Sequence, residues 1–142
     1  MKKLVDLREL INPAHEDINS YAITCTVSRE RAVGPGELRA FSAGLMAAIA
    51  KECFARGAKD IGHIKAYAEH AGGFLYADTL GAPADVTVEG RDGDPAARFT
   101  LVINSVIYGL SAEAVKDATE AALKDQLLKS GLVRGTETNN RE

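Results

Sequence analysis

The chain has 142 residues, of which 46% are hydrophobic and 26% are charged, and its formal net charge at pH 7 is −3. This length fits one domain that can bury a core without disulfides or a structural metal. The composition matches neither a basic nucleic-acid binder nor a disordered acidic chain. No run approaches the roughly 18 apolar residues of a membrane span, and the N-terminus contains no apolar signal segment. We therefore expect a soluble, cytoplasmic protein that binds neither nucleic acid nor membrane.

The sequence predicts no metal centre and identifies no cofactor. Cys25 and Cys53 have no CxxC spacing and no Cys/His set at zinc spacing around them, so we expect both to be buried small hydrophobes. His15, Glu16 and Asp17 stand together in a polar connector. A solvated loop explains these three residues better than a metal site does.

The first half of the chain predicts an N-terminal segment, a strand and a helix. Residues 1–20 form a short helix or an extended arm, because leucines recur at helical spacing until Asn12-Pro13. From Tyr21 the apolar residues alternate, which indicates a half-buried strand. Apolar positions from Leu38 to Cys53 then predict a helix, with the turn Gly34-Pro35-Gly36 before it and Gly57 at its C′ position.

The second half of the chain predicts four strands and a final helix. Residues 62–79 form a hairpin, and residues 85–89 form a further alternating strand. The strand from Phe99 to Tyr108 is apolar on both faces, which is typical of the middle of a sheet. Ser111 caps the last helix and Gly131 ends it. We expect one α+β domain over residues 21–131, followed by a flexible tail over residues 132–142.

These elements predict a two-layer α/β sandwich in the order β-α-β-β-β-β-α. A crossover through the first helix would make the first strand parallel to the first hairpin strand, while short turns would make the later neighbours antiparallel. We therefore expect a mixed, mostly antiparallel sheet of about five strands with both helices on one face. The opposite face remains open to solvent, a ligand or a second subunit.

Strand alternation assigns the chemically richest side chains to that open face. Two hairpin registers are possible. A turn at Ala71-Gly72 sets Lys65 opposite Asp78, and a turn at Gly72-Gly73 sets Tyr67 opposite Asp78. His70 is expected to be an exposed turn residue. The candidate binding residues are His63, Lys65, Tyr67, Glu69, Tyr76 and Asp78, with Phe74 beside them.

Three interpretations of this face remain open. It is a solvated sheet surface with cross-strand ion pairs, an interface for a second copy or another protein, or a small-molecule site of an enzyme. In the enzyme, Lys65 would anchor an anion and His63 would transfer a proton. No nucleophile motif of the GxSxG kind is present, so no catalytic residue is predicted. We favour a non-catalytic binding domain that acts as a homo-oligomer, with the enzyme as the alternative.

Four phrases of the sequence carry a resemblance to a known family. They are Ile61-Gly62-His63-Ile64-Lys65, Gly73-Phe74, Val86-Thr87-Val88-Glu89-Gly90 and Asn104-Ser105-Val106-Ile107-Tyr108-Gly109-Leu110. Over roughly residues 20–130 the chain resembles the domain that follows the nucleotide-binding domain in some CobW-type GTPases. The resemblance implies an accessory domain in metal or cobalamin-related protein handling. The chain lacks a Walker A loop, a GTP-specificity motif and a CxCC metal motif, so we expect no GTP hydrolysis by it.

Overall fold

The computed structural model describes residues 18–82 and 85–135, which form an open sheet covered on one face by two helices. This arrangement confirms the predicted α+β sandwich. Residues 1–17, which are most of the N-terminal helix or arm predicted over residues 1–20, and residues 136–142 lie outside the described part. Residues 18–20 belong to the first strand instead. The elements are β1 (Ile18–Val33), α1 (Pro35–Ala55), β2 (Asp60–His70), β3 (Gly73–Thr79), β4 (Thr87–Arg91), β5 (Ala96–Tyr108), α2 (Ala112–Ser130) and β6 (Val133–Arg134).

The sheet has six described strands in the order β4-β3-β2-β5-β1-β6, one more than expected. The additional strand is β6, a two-residue segment after α2 that pairs with Val27 and Ser28 of β1. It lies in the segment that was predicted to be a flexible tail. Two residues are too few to produce a periodic pattern, so alternation alone does not indicate this strand.

Every neighbouring pair of described strands is antiparallel, so the sheet is not mixed as expected. β1 and β2 do run in the same direction, as a crossover through α1 requires. They are not neighbours, because β5 lies between them and pairs antiparallel with both. This central place confirms the prediction from the two apolar faces of β5.

Both helices begin and end where the sequence predicts. α1 starts at Pro35 after the N-cap Gly34, and Gly57 follows its last turn with φ +103°. The hydroxyl oxygen of Ser111 accepts a hydrogen bond from the backbone N–H of Ala114 at 3.1 Å, which satisfies one free donor at the start of α2. Gly131 ends α2 in the left-handed conformation at φ +67°.

The core lies between the helices and the inner face of the sheet. Cys25 and Cys53 are buried there, as expected. No described helix is long and apolar enough to cross a membrane. The largest fully buried side chains are Ile23, Val27, Leu38, Leu45, Met46, Ile49, Ile64, Leu75, Leu101, Ile103, Ile107 and Leu123.

Candidate functional site

The β2–β3 turn fixes which side chains meet on the open face. Its two central residues, Ala71 and Gly72, have φ values of +22° and +83°. Positive φ at both positions is the requirement of a type I′ turn, whose twist matches the strands that it joins. The resulting register places Lys65 opposite Asp78, which confirms the Ala71-Gly72 alternative.

A bulge at Gly62 determines which residues of β2 point to each face of the sheet. The pairing with β5 shifts between Ile61 and His63, so that Ile61 and Ile64 are both buried although they are three residues apart. A Cβ atom on Gly62 would lie 2.9 Å from the carbonyl oxygen of Val106. Glycine is therefore required here, and the bulge turns His63 to the face opposite Ile64.

All six candidate residues lie on the face away from the helices, in adjacent rows across the sheet. The inward positions of the same strands, such as Ala66, Ala68 and Ala77, are buried against the core. Three rows cross the sheet from β3 through β2 to β5. The first row contains Asp78, Lys65 and Asn104, the second Tyr76, Tyr67 and Val102, and the third Phe74, Glu69 and Thr100. His63 lies opposite Val106, next to the first row.

Three aromatic rings form a cluster at the centre of this face. Tyr67 and Tyr76 are register partners with ring centroids 4.8 Å apart, and Phe74 lies 5.7 Å from Tyr76 and 6.4 Å from Tyr67. Desolvation by the neighbouring groups raises the pKa of Tyr67, and the charge of Glu69 raises it further. Tyr76 remains 57% exposed. The cluster therefore presents an aromatic surface to solvent.

The cluster extends to β4 through Arg91, which lies beyond the strand predicted over residues 85–89. Arg91 is the last residue of β4 and the register partner of Phe74. Its guanidinium carbon lies 5.5 Å from the centre of the Phe74 ring, which is within the range of a cation–π contact. The alternation of Thr87, Glu89 and Arg91 along the sequence indicates that these three residues lie on the same face of the strand.

The charged residues of the face are not joined by ion pairs. Lys65 and Asp78 are register partners, but their charged atoms do not come within 4.0 Å of each other. Within the described residues, Glu69 also takes part in no salt bridge by the same limit. Both signs of charge are thus available to a group that approaches the face.

β-branched side chains occupy much of the remainder of the face, together with Asn104 and Tyr108 of β5. β5 and β1 present half-buried residues between the aromatic cluster and the β6 edge. These side chains offer methyl groups together with hydroxyls, which suit packing against another sheet. They include Thr24, Thr26, Val102 and Val106, with Thr100 more exposed beside them.

The candidate residues do not line a common cavity among the five described for residues 18–82 and 85–135. Glu69 borders one of these cavities at the hairpin end, whereas His63, Lys65, Tyr67, Tyr76 and Asp78 border none of the five. The enzyme alternative stays a prediction without a supporting cavity.

His70 was expected to be an exposed turn residue, and this prediction is wrong. Its side chain is only 4% exposed, and its Nε2 atom has no hydrogen-bond partner. His70 has the same parity along β2 as the buried Ala66 and Ala68, so alternation continues to the last residue of the strand. The expectation of exposure came from the position of His70 beside the turn, whereas strand alternation predicts that it is buried.

No group of three or more His, Cys, Asp or Glu side chains in the described ranges could hold a metal ion. His15, Glu16 and Asp17 lie outside these ranges.

Together, these features define a two-layer α+β domain with an aromatic, charged and open sheet face. No family model matches the chain, and no curated protein matches it significantly. The chain is similar to the Zn(II)-bound YjiA GTPase from E. coli, with 14% identity and a TM-score of 0.34, over 75% of this chain and 30% of that protein. A Zn(II)-bound triple mutant of YjiA gives the same values.

The described fold thus spans under a third of the matched GTPase, since 30% of that chain is covered. A similarity of this size carries no argument about function. The resemblance to CobW-type GTPases remains a prediction that depends on the sequence phrases.

Proposed function

We propose that this chain is a non-catalytic binding domain that forms a homodimer through its open sheet face. The observation that carries this proposal is the solvent-facing cluster of Tyr67, Phe74 and Tyr76. Aromatic residues are enriched at the centres of protein interfaces, where they bury a large area at a small cost in conformational entropy.

The charges around the cluster favour a second copy of the same chain. Along β2, Lys65 precedes Tyr67 by two residues and Glu69 follows it by two, which places opposite charges about 7 Å to either side of the ring. A two-fold axis that crosses the strands at Tyr67 leaves this row facing itself. It also brings Lys65 of each copy over Glu69 of the other copy, so these two contacts are complementary in charge. Glu89, at the β4 end of the Tyr67 row, would face its own copy at the edge of the interface.

The same axis suits the sheet geometry. Sheets that pack face to face keep their strand directions within about 30° of each other and interdigitate the side chains of the two faces. The β-branched residues on β5 and β1 would extend the contact beyond the aromatic cluster. The CobW resemblance supports a setting in metal or cobalamin-related protein handling for this dimer.

Charge reversal at the two flanking positions tests the proposal. Lys65→Glu alone or Glu69→Lys alone would place like charges together at two symmetry-related points. Each should weaken the dimer about tenfold in sedimentation equilibrium. The double variant Lys65→Glu/Glu69→Lys exchanges the charges and should restore dimerisation. Lys129→Glu on the exposed surface of α2 serves as the matched control.

The outcomes distinguish two parts of the proposal, the use of this face and the two-fold arrangement of the two copies. Equal dimerisation of all four variants would contradict a role for this face. Loss in the single variants without recovery in the double variant would contradict the two-fold arrangement.

A further inference from the structure

The hairpin end of the sheet contains a cavity of about 420 Å³. The Ala71-Gly72 turn and the last residues of β2 form one side, and the start of β5 forms the other. Its chemically active lining consists of Glu69, His70, Phe74, Arg91 and Arg98. These residues come from four strands, and the antiparallel pairing of β4, β3, β2 and β5 brings them together.

The two arginines of this cavity differ from the other arginines of the described chain. Arg91 and Arg98 form no salt bridge there, and Glu69 stays beyond 4.0 Å from both guanidinium groups. The other described arginines each lie within that distance of a carboxylate, namely Arg29, Arg31, Arg39, Arg56 and Arg134. Thus the two arginines without a carboxylate border the same cavity.

Arg91 is also held in place. Its contact with the ring of Phe74 restrains the guanidinium while its N–H donors stay available. The adjacent carboxylate of Asp92 is engaged by Nε of Arg39 at 2.8 Å, so this acid is already neutralised by another residue. The backbone N–H of Asp94 donates to the carbonyl oxygen of Ala71 at 3.1 Å, which fixes the β4–β5 bend against the turn.

His70 borders this cavity at the last position of β2. Its side chain has the parity of the buried Ala66 and Ala68 and is itself buried, whereas Glu69, Phe74 and Arg91 form one row on the open face. The two arginines therefore carry the polar chemistry of the cavity.

We propose that this cavity is a binding site for a small oxyanion, the phosphate or carboxylate group of a ligand. Arg91 and Arg98 would supply the charge-assisted hydrogen bonds, because a guanidinium matches the oxygen atoms of either group. Glu69 would accept a donor group of the ligand, and its charge limits the site to groups of low negative charge.

The site shares Glu69 and Phe74 with the proposed dimer face, whereas Arg91 and Arg98 are not among the residues on which the dimer proposal rests. Substitution of the two arginines leaves Lys65, Tyr67 and Glu69 in place, so the two proposals are tested separately.

Titration of the full chain with inorganic phosphate and, separately, with acetate tests the proposal. Backbone amide and guanidinium chemical shifts are followed by NMR, with sodium chloride keeping the ionic strength constant. We expect saturable shifts at Gly72, Gly73 and the side chains of Arg91 and Arg98 with at least one of the two anions. Saturation by phosphate alone would identify the bound group of the ligand as a phosphate, and saturation by acetate alone would identify it as a carboxylate.

The cavity variant is the double substitution Arg91→Gln/Arg98→Gln. Its matched control is Arg31→Gln/Arg56→Gln, which removes the same amount of charge away from the cavity. The cavity variant should weaken binding at least about tenfold, and the control should keep it. Because both cavity arginines are exposed, we expect the variant to fold, and its circular dichroism checks this point. As a second variant, Arg98→Lys keeps the charge and should retain weakened binding.

Three results would overturn the proposal. They are shifts that stay linear with both anions, shifts that are scattered over the surface, and equal binding by the cavity variant and the control. Any of them would show that Arg91 and Arg98 are solvated surface charges without a ligand.

Discussion

Tyr67 on β2 and Tyr76 on β3 lie directly opposite each other on the face away from the helices, with ring centroids 4.8 Å apart and an interplanar angle of 47°. This pair depends on the turn at Ala71-Gly72, because moving the turn by one residue would pair Tyr67 with Asp78 instead. The turn therefore decides whether the open face has an aromatic centre.

Gly62→Ala should destabilise the fold by about 1–3 kcal/mol, because the new methyl group would lie 2.9 Å from the Val106 carbonyl oxygen at the bulge. Gly36→Ala is the matched control, since a Cβ there has no neighbour within 4 Å and lies in the first turn of α1. Urea unfolding measures both. A Gly62→Ala protein as stable as the control would show that the bulge does not require glycine.

Glu120 should make stability depend on pH at acidic values. Burial acts to raise its pKa, but hydrogen bonds from Arg134 and Tyr21 and the Arg134 charge outweigh burial and lower the pKa below its ordinary value of 4.5. The ionised form is thus favoured in the folded state. Its contribution is complete above the unfolded pKa and is lost as the pH falls through the folded pKa.

The measurement for Glu120 compares the wild type with Glu120→Gln in urea unfolding from pH 7 to pH 3. The difference in unfolding free energy should be largest at neutral pH and shrink below about pH 4.5. Glu113→Gln, on the exposed first turn of the same helix, is the control. A difference that stays constant over this range would contradict the assignment.

Cys53 should be unreactive in the folded protein. Burial raises the pKa of its thiol to about 11, so the thiolate that reacts with disulfide reagents is scarce at neutral pH. Its side chain is also fully buried. In Cys25→Ala, which leaves this single thiol, we expect modification by a chromogenic disulfide at pH 8 to follow the rate of unfolding. Rapid modification before urea is added would be the contrary result.

Much of the fold could be predicted from local pattern. Alternation along β2 and β3 identified the outward residues, and Ser111, Gly57 and Gly131 marked helix ends, because capping depends on neighbouring backbone groups. The insertion of β5 between β1 and β2 could not be predicted in this way. Pairing across a sheet is decided by tertiary packing, which the spacing of apolar residues does not encode.

The candidate site was predicted unevenly for the same reason. Alternation alone places Tyr67 and Tyr76 on the outer face, but Arg91 and Arg98 border one cavity only because β4 and β5 pair with opposite edges of the hairpin. The burial of His70 was available from its parity with Ala68.

Sedimentation velocity of the wild type and Tyr67→Glu over a wide range of protein concentration tests the central claim most directly. A carboxylate at the centre of the aromatic cluster would be buried against itself in the two-fold arrangement, which is strongly unfavourable. The account predicts a wild-type dimer and a folded Tyr67→Glu monomer at the same concentration. A wild type that stays monomeric at high concentration, or a Tyr67→Glu dimer of unchanged strength, would contradict it.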